Sequence, residues 1–201
     1  MLITQKYDFS FTGASVRLNE MLLVLRAWEI EKREVDFTNE LGNGKKNTGK
    51  RLISEFKKRI NNLTQEQKQL LLEADSATQK QMAFVAICKT YKFILDFTIE
   101  VIREKYLVFD YQISDGDYNA FIRRKAELHP EIEQLTEITF KKVRQLTFKI
   151  LEQVGIIDDI KEKNIQPQIL NQQLVNAIFV DNPLLLKVLL VSDHDIQTHA
   201  Q

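Results

Sequence analysis

Three residue types that define whole protein classes are scarce in this chain of 201 residues. The single cysteine excludes a disulfide framework and any zinc or iron–sulfur site that needs several cysteines. Six glycines and three prolines are too few for a loop-rich β protein, a collagen or a long linker. The chain holds 28 basic and 28 acidic residues, so the molecule as a whole is not a generic polycation. At 44% hydrophobic and 28% charged residues, the composition is that of an ordinary globular protein.

The sequence also lacks an uninterrupted apolar run. The most apolar stretch, residues 82–109, carries charged side chains throughout and never reaches about eighteen uncharged residues in succession. The N-terminus has neither a charged start followed by an apolar segment nor a small-residue cleavage site. Together with the lone cysteine, these absences predict a protein of the reducing cytoplasm with no membrane partner.

Helical periodicity dominates what remains. Apolar residues recur at helical spacing in five long segments, residues 15–31, 48–63, 76–109, 118–128 and 131–154. A short helix at 36–41 is stopped by Gly42-Asn43-Gly44, and Thr64 with Gln67 predicts a capping box. We therefore predict an all-α helical bundle. Residues 1–75 are expected to form a small N-terminal, helix-turn-helix-like unit with a basic helix, and residues 76–201 a larger C-terminal bundle.

Positive charge is concentrated around the second predicted helix. Within residues 45–59 only Glu55 opposes seven cations, which are Lys45, Lys46, Lys50, Arg51, Lys57, Lys58 and Arg59. A short helix, a tight glycine turn and a basic amphipathic helix have the outline of a helix-turn-helix. Phosphates are bound by several cations on one rigid face, so the segment predicts a surface for double-stranded DNA. A solvated helix face is the alternative interpretation.

A second group of cations lies on later predicted helices. Its members are Arg123, Arg124, Lys141 and Lys149. This secondary basic surface is able to extend a DNA-binding face. The alternative, which we favour, is that these cations form ion pairs with glutamates within helical reach. The glutamates are Glu127, Glu131, Glu133 and Glu137.

One segment matches part of a nucleotide-binding motif. Residues 44–50 read Gly-Lys-Lys-Asn-Thr-Gly-Lys, as in the first seven positions of a phosphate-binding loop. The motif then needs a serine or threonine hydroxyl for magnesium, but Arg51 stands there. It also needs a buried strand before it, whereas residues 36–41 predict a helix. We expect no nucleotide hydrolysis.

The residue types that build active sites and metal sites are few and dispersed. Cys88 lies among apolar residues and is expected in the core. His129 is expected in an exposed loop, and His194 and His199 in a polar tail. We predict no catalytic residue, no metal site, no cofactor and no small-molecule substrate.

Two stretches of the chain carry a family resemblance. Residues 7–15 read Tyr-Asp-Phe-Ser-Phe-Thr-Gly-Ala-Ser and lead into Asn19-Glu20-Met21-Leu22. Residues 150–157 read Ile-Leu-Glu-Gln-Val-Gly-Ile-Ile and are followed by Ile165, Pro167, Leu170 and Asp181-Asn182-Pro183. Both stretches resemble the BrxA family, a small subunit of the BREX phage-defence systems of bacteria. The resemblance extends over essentially the whole chain.

The resemblance implies an all-helical protein similar to the NusB antitermination factor. It also implies binding of double-stranded DNA without catalysis, with other BREX subunits as partners. The basic residues at 45–59 are assigned from charge and spacing and not from the family. The alternative function is a protein–protein scaffold without direct DNA contact, whose basic patch meets an acidic partner subunit.

Overall fold

The computed structural model describes residues 6–199, and most of them are helical. Ten α-helices follow one another in this range: α1 (Leu18–Glu29), α2 (Lys46–Asn61), α3 (Gln65–Glu73), α4 (Ser76–Thr90), α5 (Lys92–Phe97), α6 (Glu104–Leu107), α7 (Asp115–Ala126), α8 (Glu137–Gln153), α9 (Gln172–Asp181) and α10 (Asp193–Thr198). The connections include two 3-10 helices, Ser10–Gly13 and Pro183–Leu189, and two π-helices, Phe37–Leu41 and Thr98–Arg103. Strand pairing in the described residues is limited to two isolated bridges, Gln112–Asn164 and Ile157–Ile165. The predicted all-α fold is confirmed.

Polar side chains fix where several helices begin. The Thr64 hydroxyl accepts from the Gln67 N–H while the Gln67 side chain accepts from the Thr64 N–H, each at 3.2 Å. The predicted capping box is therefore confirmed. The Asp75, Ser114 and Asn171 side chains also accept from backbone N–H groups at the starts of α4, α7 and α9, and Ser114 forms a second capping box with Asp117. These oxygens satisfy N–H groups that have no partner within the helix.

Two predicted helix boundaries are wrong. Residues 15–17 lie outside α1, and Arg17 has a φ of 46° immediately before the helix. Residues 131–135 form turns instead of the predicted helix, and α8 begins only after Thr136. The Thr136 hydroxyl accepts from the Thr139 N–H at 3.2 Å and so marks the true start.

The segment from α4 into α5 forms the centre of the molecule. Every residue from Met82 to Ile87 is fully buried, as an all-round apolar pattern predicts. Phe93 and Phe97 of α5 both pack edge-on against Phe121 of α7, with ring centroids 5.6 and 5.2 Å apart. No helix in the described part of the chain has the length and apolar character that crossing a membrane requires.

The ranges predicted as two units contribute to the same core. Gln67 of α3 donates to the Ala177 carbonyl of α9 at 3.0 Å, and the Tyr91 hydroxyl donates to the buried Glu55 of α2. Buried apolar side chains from both ranges form one hydrophobic cluster. The boundary at residue 75 stays a prediction.

The segment of residues 7–16, here called the strap, ties the N-terminal part of the chain to distant helices. The Tyr7 hydroxyl donates to Asp96 at 2.7 Å, and the Tyr7 N–H donates to Glu131 at 2.6 Å. The Tyr7 ring stacks on His129 with centroids 3.6 Å apart. His129 is only 1% exposed beneath it, so its expected place in an exposed loop is wrong. At its other end the strap is fixed by Gln153 of α8, which accepts from a backbone N–H at 3.0 Å.

Candidate nucleic-acid interface

The predicted basic helix is α2, and a tight turn holds it against the π-helix Phe37–Leu41. Asn43 and Gly44 both have positive φ and redirect the chain into α2. Gly49 lies against the π-helix so closely that a Cβ there would stand 1.8 Å from the Phe37 carbonyl oxygen. Because only glycine permits this approach, Gly49 sets the spacing between the π-helix and α2.

Most of the predicted DNA-binding residues lie on the solvent side of α2 or in the turn before it. Six are exposed: Lys45, Lys46, Lys50, Arg51, Lys57 and Lys58. The opposite side of the helix buries Leu52, Phe56 and Ile60, as predicted. Arg59 is 0% exposed, so its assignment as a DNA-binding residue is wrong.

Arg59 has a structural task instead. Its guanidinium donates to the carbonyl oxygens of Ala14, Ser15 and Val16 at 2.8, 2.7 and 3.3 Å. A guanidinium offers five donors in a fixed fork, which suits a row of backbone acceptors. Arg59 therefore joins α2 to the strap and keeps residues 15–17 from entering α1.

The strap in turn positions two cations at one edge of α2. A Cβ at Gly13 would stand 3.1 Å from Cδ of Arg51, so the Arg51 stem passes directly over this glycine. The Lys58 ammonium donates to Asp8 at 3.2 Å and to the Ser10 hydroxyl at 2.9 Å. Burial alone raises the pKa of Asp8, but hydrogen bonds from Ser10 and Lys58 outweigh burial and lower it below its usual value. The charge of Lys58 is thus partly neutralised by the strap.

The remaining exposed cations of α2 have no such counter-charge. The described residues place no carboxylate within 4.0 Å of Lys45, Lys46, Lys50, Arg51 or Lys57. Lys45 is the N-terminal capping position, and its side chain makes no cap hydrogen bond. The first-turn N–H groups of α2 add partial positive charge at the same end. We call these five residues the α2 basic face.

The secondary basic surface differs in its pairing. Three of its four cations contact carboxylates: Arg124 with Glu100 (3.0 Å), Lys141 with Glu137 (2.6 Å) and Lys149 with Glu152. Only Arg123 is exposed without a carboxylate within 4.0 Å among residues 6–199. Three of the four residues form ion pairs, but the expected pairing with the named glutamates is confirmed only for Lys141. Glu137 is the one partner that was predicted.

Neither the partial phosphate-loop segment nor Cys88 has the surroundings that its chemistry requires. Residues 44–50 form a turn and the start of α2, and they follow a π-helix instead of a strand. Cys88 is buried, and burial raises the pKa of its thiol well above the usual value. Within residues 6–199, no group of three or more His, Cys, Asp or Glu side chains is arranged to hold a metal ion.

The sequence contained a signal for the role of Arg59. It follows Leu52 by seven residues and Phe56 by three, which places it on the apolar side of α2. No sequence pattern indicated that Asp8 and Ser10 contact Lys58, because this contact depends on where the strap crosses α2.

Comparison with known proteins identifies the family. A family model described as BrxA matches residues 5–180. The chain belongs to the BrxA family. The resemblance predicted from the strap residues is confirmed, and the matched range also contains all of α2.

Curated proteins similar to this BrxA family member include two named "BREX protein BrxA". The protein from Escherichia coli O9:H4 (strain HS) is 25% identical over 120 residues, which cover 60% of this chain and 56% of that protein. The protein from Bacillus cereus (strain H3081.97) is 27% identical over 105 residues, which cover 52% of each chain. The chain thus spans about half the length of the curated BrxA relatives it matches.

A solved structure has a similar fold. The crystal structure of an uncharacterized protein from Magnetospirillum magneticum matches with a TM-score of 0.78 and 17% sequence identity. The match covers 94% of this chain and 100% of that one. At this identity the likeness shows the fold that this BrxA family member adopts.

Proposed function

We propose that this chain is a non-catalytic, double-stranded DNA-binding component of a BREX phage-defence system, working in the cytoplasm with other BREX subunits. Family membership and the two relatives named as BREX proteins support the place in phage defence. The α2 basic face carries the DNA part of the proposal. It presents five exposed cations that no carboxylate neutralises in the described residues.

The geometry of α2 suits a nucleic-acid duplex. Its 16 residues give a rigid helix of roughly 24 Å at about 1.5 Å per residue. A five-residue π-helix and a glycine-containing turn precede α2, and the helix-turn-helix-like arrangement expected from sequence stays a prediction. A major groove about 12 Å wide admits one α-helix, and the phosphates on its edges attract the flanking cations. Because cations dominate the face, binding should depend little on DNA sequence. The expected likeness to the NusB fold stays a prediction.

A salt-titrated binding assay with a short DNA duplex tests the proposal. If the α2 basic face neutralises three to five phosphates, the slope of log K against log salt should be roughly −3 to −4.5, at about 0.9 per phosphate. A triple variant, Lys46→Glu, Lys50→Glu and Lys57→Glu, should bind on the order of 100-fold more weakly at about 0.1 M salt. Its slope should flatten by up to about 2.7. A dichroism spectrum should show an unchanged fold.

The secondary basic surface supplies the matched control. The triple variant Arg123→Glu, Lys141→Glu and Lys149→Glu changes the net charge by the same amount. We expect it to alter affinity only a few-fold, since two of its three cations already have carboxylate partners. Equal losses in both triple variants would show that total charge, and not the α2 basic face, governs binding.

A protein–protein scaffold is the second candidate function. An exposed apolar loop favours it, because Val108 and Phe109 are 70% and 79% exposed. If the folded wild-type protein shows no salt-dependent DNA binding, the scaffold function replaces the DNA-binding one.

A further inference from the structure

A recess beside the α2 basic face exposes aromatic surface. It lies between the end of α1, the π-helix Phe37–Leu41 and α2, and it has a volume of about 550 Å³. Its apolar lining includes Trp28, Phe37 and Ile53, each only partly buried, so the recess is open to solvent. Trp28 is the single tryptophan of the chain. Partly exposed tryptophan and phenylalanine rings provide flat apolar faces on which another ring can stack.

The α2 side of the recess is one face of that helix. It is formed by Lys50, Ile53, Ser54, Lys57 and Asn61. Each of these residues lies three or four positions from another member of the set, which brings all five to the same side of α2. Lys50 and Lys57 also belong to the α2 basic face, so the recess and the proposed DNA surface share two cations without a carboxylate within 4.0 Å among residues 6–199.

The recess also contains polar groups with unused hydrogen-bonding capacity. The side chains of Glu34, Ser54 and Asn61 line it, are exposed and make no hydrogen bond within residues 6–199. Asparagine pairs with the amino group and ring nitrogen of adenine, and glutamate accepts from the amino group of cytosine. The Glu34 carboxylate repels a phosphate, so it favours a base edge inside the recess and the nucleic-acid backbone outside, at the lysines.

We infer that the recess takes one unpaired nucleobase from DNA bound at the α2 basic face and stacks it on Trp28. The inference rests on the proposed function and adds recognition of a base to it. Aromatic faces for the bases and cations for the backbone are the usual elements of sites for unpaired nucleotides. Lys50 and Lys57 lie seven residues apart, roughly 10 Å along α2 at about 1.5 Å per residue. Their long side chains therefore reach the phosphates on both sides of that nucleotide.

A base inside an intact duplex does not use the recess. Its faces are covered by neighbouring base pairs, and turning it out of the stack costs free energy. A bulged nucleotide has no pairing partner, so that cost is lower. The recess therefore predicts a preference for DNA with an unpaired base. Adenine and cytosine should bind better than thymine, which has no amino group for the oxygens of Glu34 and Asn61.

Three short duplexes with the same flanking sequence test the inference. One is fully paired, one has a single bulged adenine, and one has a bulged abasic nucleotide. The abasic bulge adds the same phosphate without a base, so it isolates the effect of the base. The adenine bulge should bind about tenfold more tightly than the abasic bulge, within the range that stacking of one base contributes. Because Trp28 is the single tryptophan, the adenine bulge should quench its fluorescence and the abasic bulge should change it little.

Two variants separate the recess from the α2 basic face. Trp28→Leu keeps an apolar side chain against the core but removes the aromatic face. Ser54→Leu fills part of the recess from an exposed helical position and leaves Trp28 in place as the reporter. Both should lose the tenfold preference and keep the wild-type affinity and salt slope for the paired duplex. Phe109→Leu makes the matching change at a ring that is 79% exposed elsewhere, and it should keep the preference.

Three results would overturn the inference: equal affinity for the adenine and abasic bulges, no quenching of Trp28 by the adenine bulge, or a folded Trp28→Leu variant that keeps the full preference. The first two are measured on the wild type, so they do not depend on how a variant folds. In each case, salt-dependent binding of the paired duplex leaves the proposed function standing. Absence of binding to every duplex would contradict the proposed function and this inference together.

Discussion

The two basic surfaces of the molecule have similar numbers of cations but different electrostatic character. On the α2 basic face, five cations have no carboxylate within 4.0 Å in the described residues. On α7 and α8, three of the four proposed cations are paired with glutamates. The placement of carboxylates, more than the number of lysines, therefore decides which surface of a protein without net charge is positive.

The difference has a local cause in each helix. In α2 the single acidic side chain, Glu55, is 4% exposed and accepts from the Tyr91 hydroxyl. It is thus directed inward, although its other oxygen lies 3.6 Å from Lys58. In α8 the glutamates stand three or four residues from lysines, where side chains meet on one helix face.

The largest effect should come from substituting Arg59, the buried cation of α2. Arg59→Ala should lower the free energy of unfolding by about 3–5 kcal/mol, because a buried cation with three carbonyl acceptors is removed. Chemical denaturation measures the loss. Lys57→Ala, on the same helix but exposed, should leave the denaturation midpoint unchanged. A similar midpoint for wild type and Arg59→Ala would contradict the structural role of Arg59.

A smaller effect should follow from removing the carboxylates that mask the secondary basic surface. Glu137→Gln with Glu152→Gln frees Lys141 and Lys149 while leaving every cation in place. DNA affinity should rise a few-fold, and the salt slope should steepen by up to about 1.8 if both lysines reach phosphates. Glu127→Gln with Glu133→Gln makes the same change in charge without an ion pair in the described residues. If this control raises affinity equally, pairing is not the cause of the difference.

The smallest effect concerns pH and the buried ion pairs behind the secondary surface. Burial alone raises the pKa of Asp96, but hydrogen bonds from Lys92, Tyr7 and Lys125 outweigh it and hold the pKa below its usual value. A carboxyl with a lowered folded-state pKa stabilises the protein above its unfolded pKa, near 3.9, and loses that contribution as pH falls through the folded value. Unfolding free energy should therefore decline below about pH 4.

Denaturation of wild type and Asp96→Asn at a series of pH values measures this contribution. The variant should be less stable at neutral pH, since Lys125 loses a buried partner. Its further decline in acid should be shallower than that of the wild type. Parallel curves would show that Asp96 does not carry the acid sensitivity.

Sequence patterns predicted the elements that depend on neighbours along the chain. The apolar spacing of α2, the capping box at Thr64 and the central position of residues 82–87 all follow from local periodicity or a local motif. The start of α1 did not follow, because Arg59 contacts the strap from a distance of more than forty residues. The burial of His129 was not predicted for the same reason, because Tyr7, which covers its ring, is distant in the sequence.

The candidate site was predictable to a similar extent. Helical spacing located the exposed cations of α2, and close reading of the same spacing places Arg59 on the apolar side. The ion pair between Arg124 and Glu100 depends on how α7 packs against the rest of the molecule, so residue spacing within one helix does not predict it. The left-handed backbone conformation of Phe109 was not predictable from the sequence either, because no glycine marks this position.

The strap also has a consequence for the order in which the protein folds. Its N-terminal contact joins residues 124 positions apart, and its contact with Gln153 joins residues 137 positions apart. Contacts of such high sequence separation form late and slow folding. During synthesis, Tyr7 and Val16 cannot be fixed until Glu131 and Gln153 have emerged. The positioning of Arg51 and Lys58, which the strap supports, is therefore completed only after α8 has formed.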